Sequence, residues 1–311
     1  MKRLAWFSAI LLCGSVITIL LARTRSPGPG RLPPSRIQSS PTPSPEQSLA
    51  SSAEFRRNSE MNDICIPSDT LSYRGFTVTR SYSQRYQQAV VTIKNGKRLI
   101  ARQNAPNGLP QSSCFGLYPV LGTKDKQLLV VQTSGGAHCC FHYRIYDFTR
   151  SGPRMIFDGG KYPVGDGFDE LKFQDIDGDG VMEFTQRVLT FDYCCGLAYS
   201  ASPQPTVVFK YNRRTRRFFP VTTGFQSFLL KGIEDGLDKT DPTGVDHWVR
   251  LFHAVTQYIY AGREQRGWKL FDNESKRGLP DFSSKSEIKT LLAKDPLYRI
   301  IHRHSIRRYR R

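Results

Sequence analysis

The sequence predicts an α+β protein, in which a mainly antiparallel β domain (propeller-blade-like or sandwich) is followed by a small helical C-terminal module. Between positions 61 and 223, short runs of branched and aromatic residues alternate with turn residues. After position 224, apolar residues repeat with helical spacing instead. We therefore divide the 311 residues into a signal peptide or membrane anchor (1–22), a linker (23–60), the β domain (61–223) and the helical module with a basic tail (224–311).

The N-terminal segment predicts export. Lys2 and Arg3 precede a stretch without charge at positions 4–22. This stretch exceeds the roughly 7–15 apolar residues of a signal peptide and approaches the roughly 20 that span a bilayer. We expect an uncleaved transmembrane anchor, with a cleaved signal peptide as the alternative and a lipoprotein modified at Cys13 as a third reading. The membrane orientation stays open, because Arg23 and Arg25 flank the far side.

The linker that follows, 23–60, is rich in Pro, Ser and Arg and has almost no apolar residues. Such a composition cannot offset the entropy of folding, so we expect a disordered and partly extended spacer. An anchor, a spacer and a globular part together indicate a domain held at a membrane surface and facing the periplasm or the extracellular side.

Cysteine usage agrees with export. Beyond Cys13 an even number of cysteines remains, which indicates disulfides in an oxidising compartment; they are Cys65, Cys114, Cys139, Cys140, Cys194 and Cys195. The sequence alone does not select the pairing. Because neighbours on a strand point to opposite faces, Cys139 and Cys140 could each meet one of Cys194 and Cys195, which would leave Cys65 for Cys114.

The predicted strands and helices follow from local pattern. The strand runs are 89–94, 128–133, 141–148, 183–191 and 206–211, with a hairpin signal at Asn95-Gly96. One helical stripe contains Trp248, Leu251, Phe252, Val255 and Ile259, and Gly262 can end that helix. Ser284 and Glu287 form a capping-box pattern for a second helix, which Pro296 ends.

The most informative motif is an acidic loop at positions 175–183. Asp175, Asp177 and Asp179 occupy its positions 1, 3 and 5, Gly180 occupies position 6 and Glu183 position 9. Ca²⁺ takes about 6–8 oxygen ligands, and closely spaced carboxylates supply them. The flanks have strand rather than helix patterns, which argues against an EF-hand. The alternative to a structural calcium site is a solvated acidic turn.

This run resembles the DxDxDGxx[DE] calcium loop of FG-GAP and VCBS-type β-propeller repeats. The resemblance implies that Asp175, Asp177, Asp179 and Glu183 are side-chain ligands and that Val181 is a backbone ligand. It covers one copy, over about residues 168–211. The wider pattern, with paired cysteines at 139–140 and 194–195, is similar to a group of exported bacterial proteins of unknown function and implies no activity.

Two other clusters offer alternative chemistry. His138, Cys140 and His142 would share one face of a strand, and Cys194 or Cys195 could complete a zinc or copper site. That site and the disulfides exclude each other. Asp158, Asp166 and Asp169 could instead serve an exported hydrolase.

We expect a noncatalytic protein, because no GxSxG, HExxH, Walker or dinucleotide motif is present. The net charge is +18, and residues 299–311 hold six arginines and no acid. This basic tail predicts attraction to anionic lipid or a wall polymer, or else a solvated terminus; we expect no nucleic-acid partner for an exported chain. The sequence thus predicts a membrane-tethered, disulfide-stabilised, calcium-binding protein with a structural or binding role in the cell envelope.

Overall fold

The computed structural model describes residues 68–85, 88–105, 113–133, 141–165, 171, 173–277 and 285–309. All of them belong to one compact unit of the chain. The predicted anchor, the linker and Cys65 lie outside these residues. No helix within the described ranges is long and apolar enough to cross a membrane.

Thirteen strands occupy the first two thirds of the described chain: β1 (Thr70–Tyr73), β2 (Phe76–Ser83), β3 (Gln88–Asn95), β4 (Arg98–Ala105), β5 (Ser113–Tyr118), β6 (Gln127–Thr133), β7 (Phe141–Thr149), β8 (Gly152–Asp158), β9 (Val164–Gly165), β10 (Phe173–Gln174), β11 (Glu183–Val188), β12 (Thr206–Asn212) and β13 (Arg217–Val221). Five helices follow: α1 (Gln226–Leu229), α2 (Val245–Tyr260), α3 (Glu264–Ser275), α4 (Lys285–Lys294) and α5 (Pro296–Tyr309). The α+β prediction, with strands first and helices last, is confirmed.

The strands form three antiparallel sheets in which spatial order follows chain order. Their orders are β1-β2-β3-β4, β5-β6-β7-β8 and β10-β11-β12-β13, and β9 pairs with β11 at the side of the third sheet. A four-stranded meander of this kind is the shape of one propeller blade, and complete propellers contain about 4–8 blades. The described residues hold three such sheets, so the FG-GAP and VCBS resemblance stays a prediction.

The predicted strand runs agree with the observed strands. Residues 89–94 lie in β3, 128–133 in β6, 141–148 in β7 and 206–211 in β12, whereas β11 ends at Val188. Asn95-Gly96 begins the turn of the β3–β4 hairpin, and Gly96 has a φ of +54°. A left-handed φ is the conformation for which glycine is favoured.

The second sheet is buried on both faces. Leu128 and Val130 of β6 pack in one cluster with Phe76 and Val91 of the first sheet. The alternate residues of the same strand, Leu129 and Val131, join a larger cluster with the third sheet and the helices. Burial on both faces explains why β6 is a continuous apolar run rather than an alternating one.

The helical module packs on the larger cluster through the predicted stripe. Trp248, Leu251, Phe252, Val255 and Ile259 of α2 are all buried. The φ of +73° at Gly262 follows the end of this helix. Pro296 marks the end of α4, as predicted, and it is also the first residue of α5. Proline is tolerated there because the first helical turn needs no N–H donor.

Candidate cation site

The acidic loop joins β10 to β11, as the strand patterns on both sides predicted. These two strands pair antiparallel, with Gln174 opposite Glu183, so the loop is the tip of a hairpin. Gly178 and Gly180 have φ values of +77° and +83°. The two glycines allow the tight path that brings carboxylates from both ends of the loop together.

Hydrogen bonds within the loop use one oxygen of each of three acidic side chains. The Gly180 N–H donates to Asp175 Oδ2 at 3.0 Å, the Val181 N–H donates to Asp179 Oδ1 at 2.9 Å, and the Ile176 N–H donates to Glu183 Oε2 at 2.9 Å. The second oxygen of each carboxylate is therefore available to bind a cation.

The Lys210 ammonium supplies such a cation. Lys210 lies on β12, the neighbour of β11, and its Nζ is 2.6 Å from Asp177 Oδ2. The same Nζ is 2.8 Å from Asp179 Oδ2 and 2.8 Å from Glu183 Oε1. Three carboxylate oxygens from one loop thus converge on a single positively charged atom.

Asp175 gives the loop a further oxygen. Its Oδ1 is buried and has no hydrogen-bond partner within the described part of the chain. Asp175, Asp177 and Glu183 each place one carboxylate oxygen within 4.8 Å of the others. A buried carboxylate oxygen without a donor is costly, and a bound cation would remove that cost.

The charges perturb the titration of the loop residues. The hydrogen bond from Lys210 lowers the pKa of Asp179. Burial raises the pKa of Glu183, which is fully buried, and hydrogen bonds from Lys210 and the Ile176 N–H offset part of that increase. Burial by itself would lower the pKa of Lys210, but the three carboxylates outweigh it and raise that pKa.

The second sheet supports the loop from outside. Met182 N–H donates to Val120 O at 2.9 Å, in the connection between β5 and β6. Gly122, in the same connection, is so close to the loop that a Cβ added to it would lie 1.8 Å from Gly180 O. The loop is therefore held in place by two sheets.

The structure brings three of the predicted side-chain ligands, Asp175, Asp177 and Glu183, together, and Asp179 joins two of them around Lys210. Val181 lies in the same loop with its side chain buried. Sequence reasoning missed Lys210. The available signal was a single charged residue in an otherwise uncharged strand, but only the pairing of β11 with β12 places it at the loop.

The histidine and cysteine predictions fall partly outside the described residues. His138, Cys139 and Cys140 lie outside. His142 lies on β7; its buried Nδ1 has no hydrogen-bond partner among the described residues, and burial, then the charge of Arg144, lowers its pKa. Cys114 is disulfide-bonded, and its predicted partner Cys65 lies outside.

Cys194 and Cys195 are both buried, and Cys195 Sγ forms a hydrogen bond to Cys194 Sγ at 2.9 Å. That hydrogen bond, together with burial, raises the pKa of Cys194. Their predicted pairing with Cys139 and Cys140 stays a prediction.

The acidic segment of the hydrolase alternative is described only at Asp158. Its Oδ1 lies 3.2 Å from Arg144 Nε in an ion pair. Asp166 and Asp169 lie outside the described residues. Comparison of the chain with protein-family models, with curated proteins and with solved structures finds no match.

Proposed function

We propose that the loop formed by residues 175–183 binds Ca²⁺ and that the ion has a structural role. The convergence of Asp177, Asp179 and Glu183 oxygens on one cationic atom at 2.6–2.8 Å carries this proposal. Carboxylates at that spacing repel one another unless a positive charge lies between them. In the ion-free protein, Lys210 supplies that charge.

Calcium fits the donor set better than a single ammonium does. Three carboxylates around one ammonium, with that of Asp175 beside them, retain a net negative charge, and a divalent cation neutralises more of it. The residues that would hold the ion are Asp175, Asp177, Asp179 and Glu183, with Val181 as a backbone ligand. Ca²⁺ prefers oxygen ligands of this type and accepts irregular geometry. The Lys210 ammonium would leave when the ion binds.

The ion would stabilise the hairpin of β10 and β11 against the connection between β5 and β6. The described geometry suits this role, because the loop already contacts Val120 and Gly122 of that connection. We infer a noncatalytic protein of the cell envelope, tethered through residues 4–22 and stabilised by disulfides. This wider inference rests on the sequence, as does attraction of the basic tail to anionic lipid or a wall polymer.

Thermal unfolding of the full chain in mild detergent tests the calcium site. We compare excess EGTA with millimolar Ca²⁺. A ligand at about 100 times its Kd stabilises by about 2.7 kcal/mol, which raises the melting temperature by several degrees. Asp177→Asn should abolish the increase, whereas Asp238→Asn, an exposed acid remote from the loop in sequence, should retain it. An unchanged melting temperature of the folded wild-type protein would contradict the proposal and leave an acidic turn neutralised by Lys210.

A second candidate is a zinc or copper site that includes His142, whose buried Nδ1 has no donor or acceptor among the described residues. Such a site needs thiolates from Cys140 and from Cys194 or Cys195. Counting free thiols in the purified protein distinguishes this metal site from disulfides, because complete oxidation of these cysteines would exclude the thiolate site.

A further inference from the structure

A surface pocket of about 210 Å³ lies where the edge strands of two sheets meet. β8 is the last strand of the second sheet and β13 the last strand of the third. The Arg154 guanidinium donates to Thr215 O at 3.1 Å, which connects β8 to the turn before β13. This pocket is separate from the acidic loop, and nothing in the calcium proposal uses it.

The charges of the lining are strongly unbalanced. Arg154, Lys161 and Arg217 line the pocket, and Asp158 is the acid that lines it with them. Asp158 is already in an ion pair with Arg144. The side chains of Lys161 and Arg217 form no ion pair or hydrogen bond with any described residue, so among the described residues the pocket carries uncompensated positive charge.

The uncharged part of the lining is largely aromatic. Tyr162 and Phe219 are half-buried at its surface, and Phe157 and Phe218 are buried behind them. The Tyr162 ring stacks on Phe157, with centroids 6.4 Å apart. The Tyr162 hydroxyl makes no hydrogen bond to a residue of the described chain and is available to a ligand. Small-molecule sites commonly combine apolar walls with a few polar groups of this kind.

The position of Arg217 is consistent with a shared site. Burial raises the pKa of Tyr162, and the nearby positive charge of Arg217 opposes that increase. Arg217 and Tyr162 both line the pocket, so the guanidinium and the phenol can act on the same ligand.

The hairpin turn beside the pocket adds long-range attraction. It carries Arg213, Arg214, Arg216 and Arg217, all exposed and none in an ion pair within the described residues. Clustered charge of one sign concentrates oppositely charged ligands at a surface.

We propose that this pocket binds a small anionic molecule, with a phosphate or carboxylate group held by Lys161 and Arg217 and a ring packed against Tyr162 and Phe219. Arginine and lysine bind both kinds of anion through charge-assisted hydrogen bonds. The volume is below the roughly 300–1,000 Å³ of sites for drug-sized ligands, so the ligand is a single ring with its anionic group.

Calorimetric titration of the full chain with phenyl phosphate and with benzoate tests this proposal at a fixed salt concentration of about 0.15 M. We expect at least one of the two to bind, with benzyl alcohol and inorganic phosphate each binding at least ten-fold more weakly. Arg217→Gln should weaken binding at least ten-fold. The matched control Arg214→Gln removes the same charge from the same hairpin but from outside the pocket, and it should change the affinity less than two-fold.

Three results would overturn the proposal. One is the absence of binding by both probes to the folded wild-type protein. Another is an equal loss in the Arg214 and Arg217 variants, which would indicate attraction to a basic surface only. The third is binding of inorganic phosphate as tightly as phenyl phosphate, which would exclude the ring site. Lys161→Gln, distant in sequence from the hairpin, repeats the test if Arg217→Gln fails to fold.

Discussion

At the scale of single residues, Lys210 neutralises part of the negative charge of the acidic loop when no ion is bound. Its ammonium lies within 2.8 Å of three carboxylates, and Glu183 among them is fully buried. Removing one partner of such a cluster leaves charges that repel one another in a partly desolvated site.

We expect Lys210→Met to destabilise the protein by about 1–3 kcal/mol in EGTA, because the carboxylates lose their cation. The same variant should be stabilised by Ca²⁺ more than the wild-type protein, since the ion no longer displaces an ammonium. Urea unfolding with and without Ca²⁺ measures both effects, and Lys231→Met, at an exposed lysine, is the control. Equal Ca²⁺ responses in wild type and variant would show that Lys210 does not compete with the ion.

Gly122 decides how closely the loop approaches the second sheet. Its φ is +69°, and an added Cβ would collide with Gly180 O at 1.8 Å. Gly75 has a similar φ of +78° but open space around its missing Cβ. Substitution at Gly75 therefore tests backbone strain alone, whereas substitution at Gly122 tests strain and steric collision together.

We expect Gly122→Ala to destabilise the protein by about 2–4 kcal/mol, because strain and collision both act. Gly75→Ala should cost about 1–2 kcal/mol from the left-handed backbone alone. Urea unfolding of both variants in EGTA compares them. Equal losses would mean that the loop moves away from residue 122 at little cost.

At the scale of elements, a buried glutamine links the helical module to the third sheet. Gln257 of α2 accepts a hydrogen bond from the Thr206 N–H at 2.8 Å and donates one to Thr206 O at 3.0 Å. Thr206 is the first residue of β12, and the amide of Gln257 satisfies both of its backbone groups. An apolar side chain at position 257 would leave them without partners.

We therefore expect Gln257→Leu to destabilise the protein by about 2–3 kcal/mol, since unsatisfied buried backbone groups cost more than the net value of the bonds. Gln265→Leu on α3 is the matched control, because Gln265 is exposed. Both are compared by urea unfolding. A loss below about 0.5 kcal/mol at position 257 would mean that another group or water replaces the amide.

The contact between α3 and α5 belongs to the same scale. His302 Nε2 lies 3.0 Å from Glu264 Oε2, and Trp268 Nε1 donates to Glu264 Oε1 at 2.8 Å. These interactions, the contact with His302 foremost, lower the pKa of Glu264 to about 2. Glu264 therefore stabilises the fold in its ionised form.

At the scale of the whole molecule, Glu264 contributes to sensitivity toward acid. A lowered pKa in the folded state means that the stabilisation is complete above the unfolded value near 4.5 and is lost as the pH falls toward 2. Protonating carboxylates also increases a net charge that is already +18. Positive self-repulsion then opposes the compact state.

We expect the free energy of unfolding to fall between pH 4.5 and 2, with on the order of 2 kcal/mol of the loss due to Glu264. Glu264→Gln should reduce the stability at pH 6 and flatten the pH dependence, whereas Asp238→Asn should leave the slope unchanged. Urea unfolding at pH 6 and pH 3 provides the comparison. Parallel slopes for wild type and Glu264→Gln would assign the acid sensitivity to other groups.

Local pattern was sufficient for much of the architecture. The central strands, the buried stripe of α2 and the four acidic side chains of the loop were predicted from the sequence. Each of these patterns is formed by residues that lie close together along the chain. The short strand β9 and the start of α5 at Pro296 were not predicted. Two-residue strands have no period of their own, and a proline that ends one helix gives no local sign that it begins another.

The sequence by itself determined the α+β class and the set of carboxylates available to a cation, because both depend on neighbours along the chain. Tertiary structure alone decided that Lys210, which lies 27 residues after Glu183, neutralises those carboxylates. It also decided that Gln257 bonds the backbone of Thr206, which lies 51 residues earlier in the chain. It also decided that β8 and β13 meet to form a basic and aromatic pocket. The physical reason is that charge and hydrogen-bond energies depend on distances of a few ångströms, and only packing brings remote residues that close.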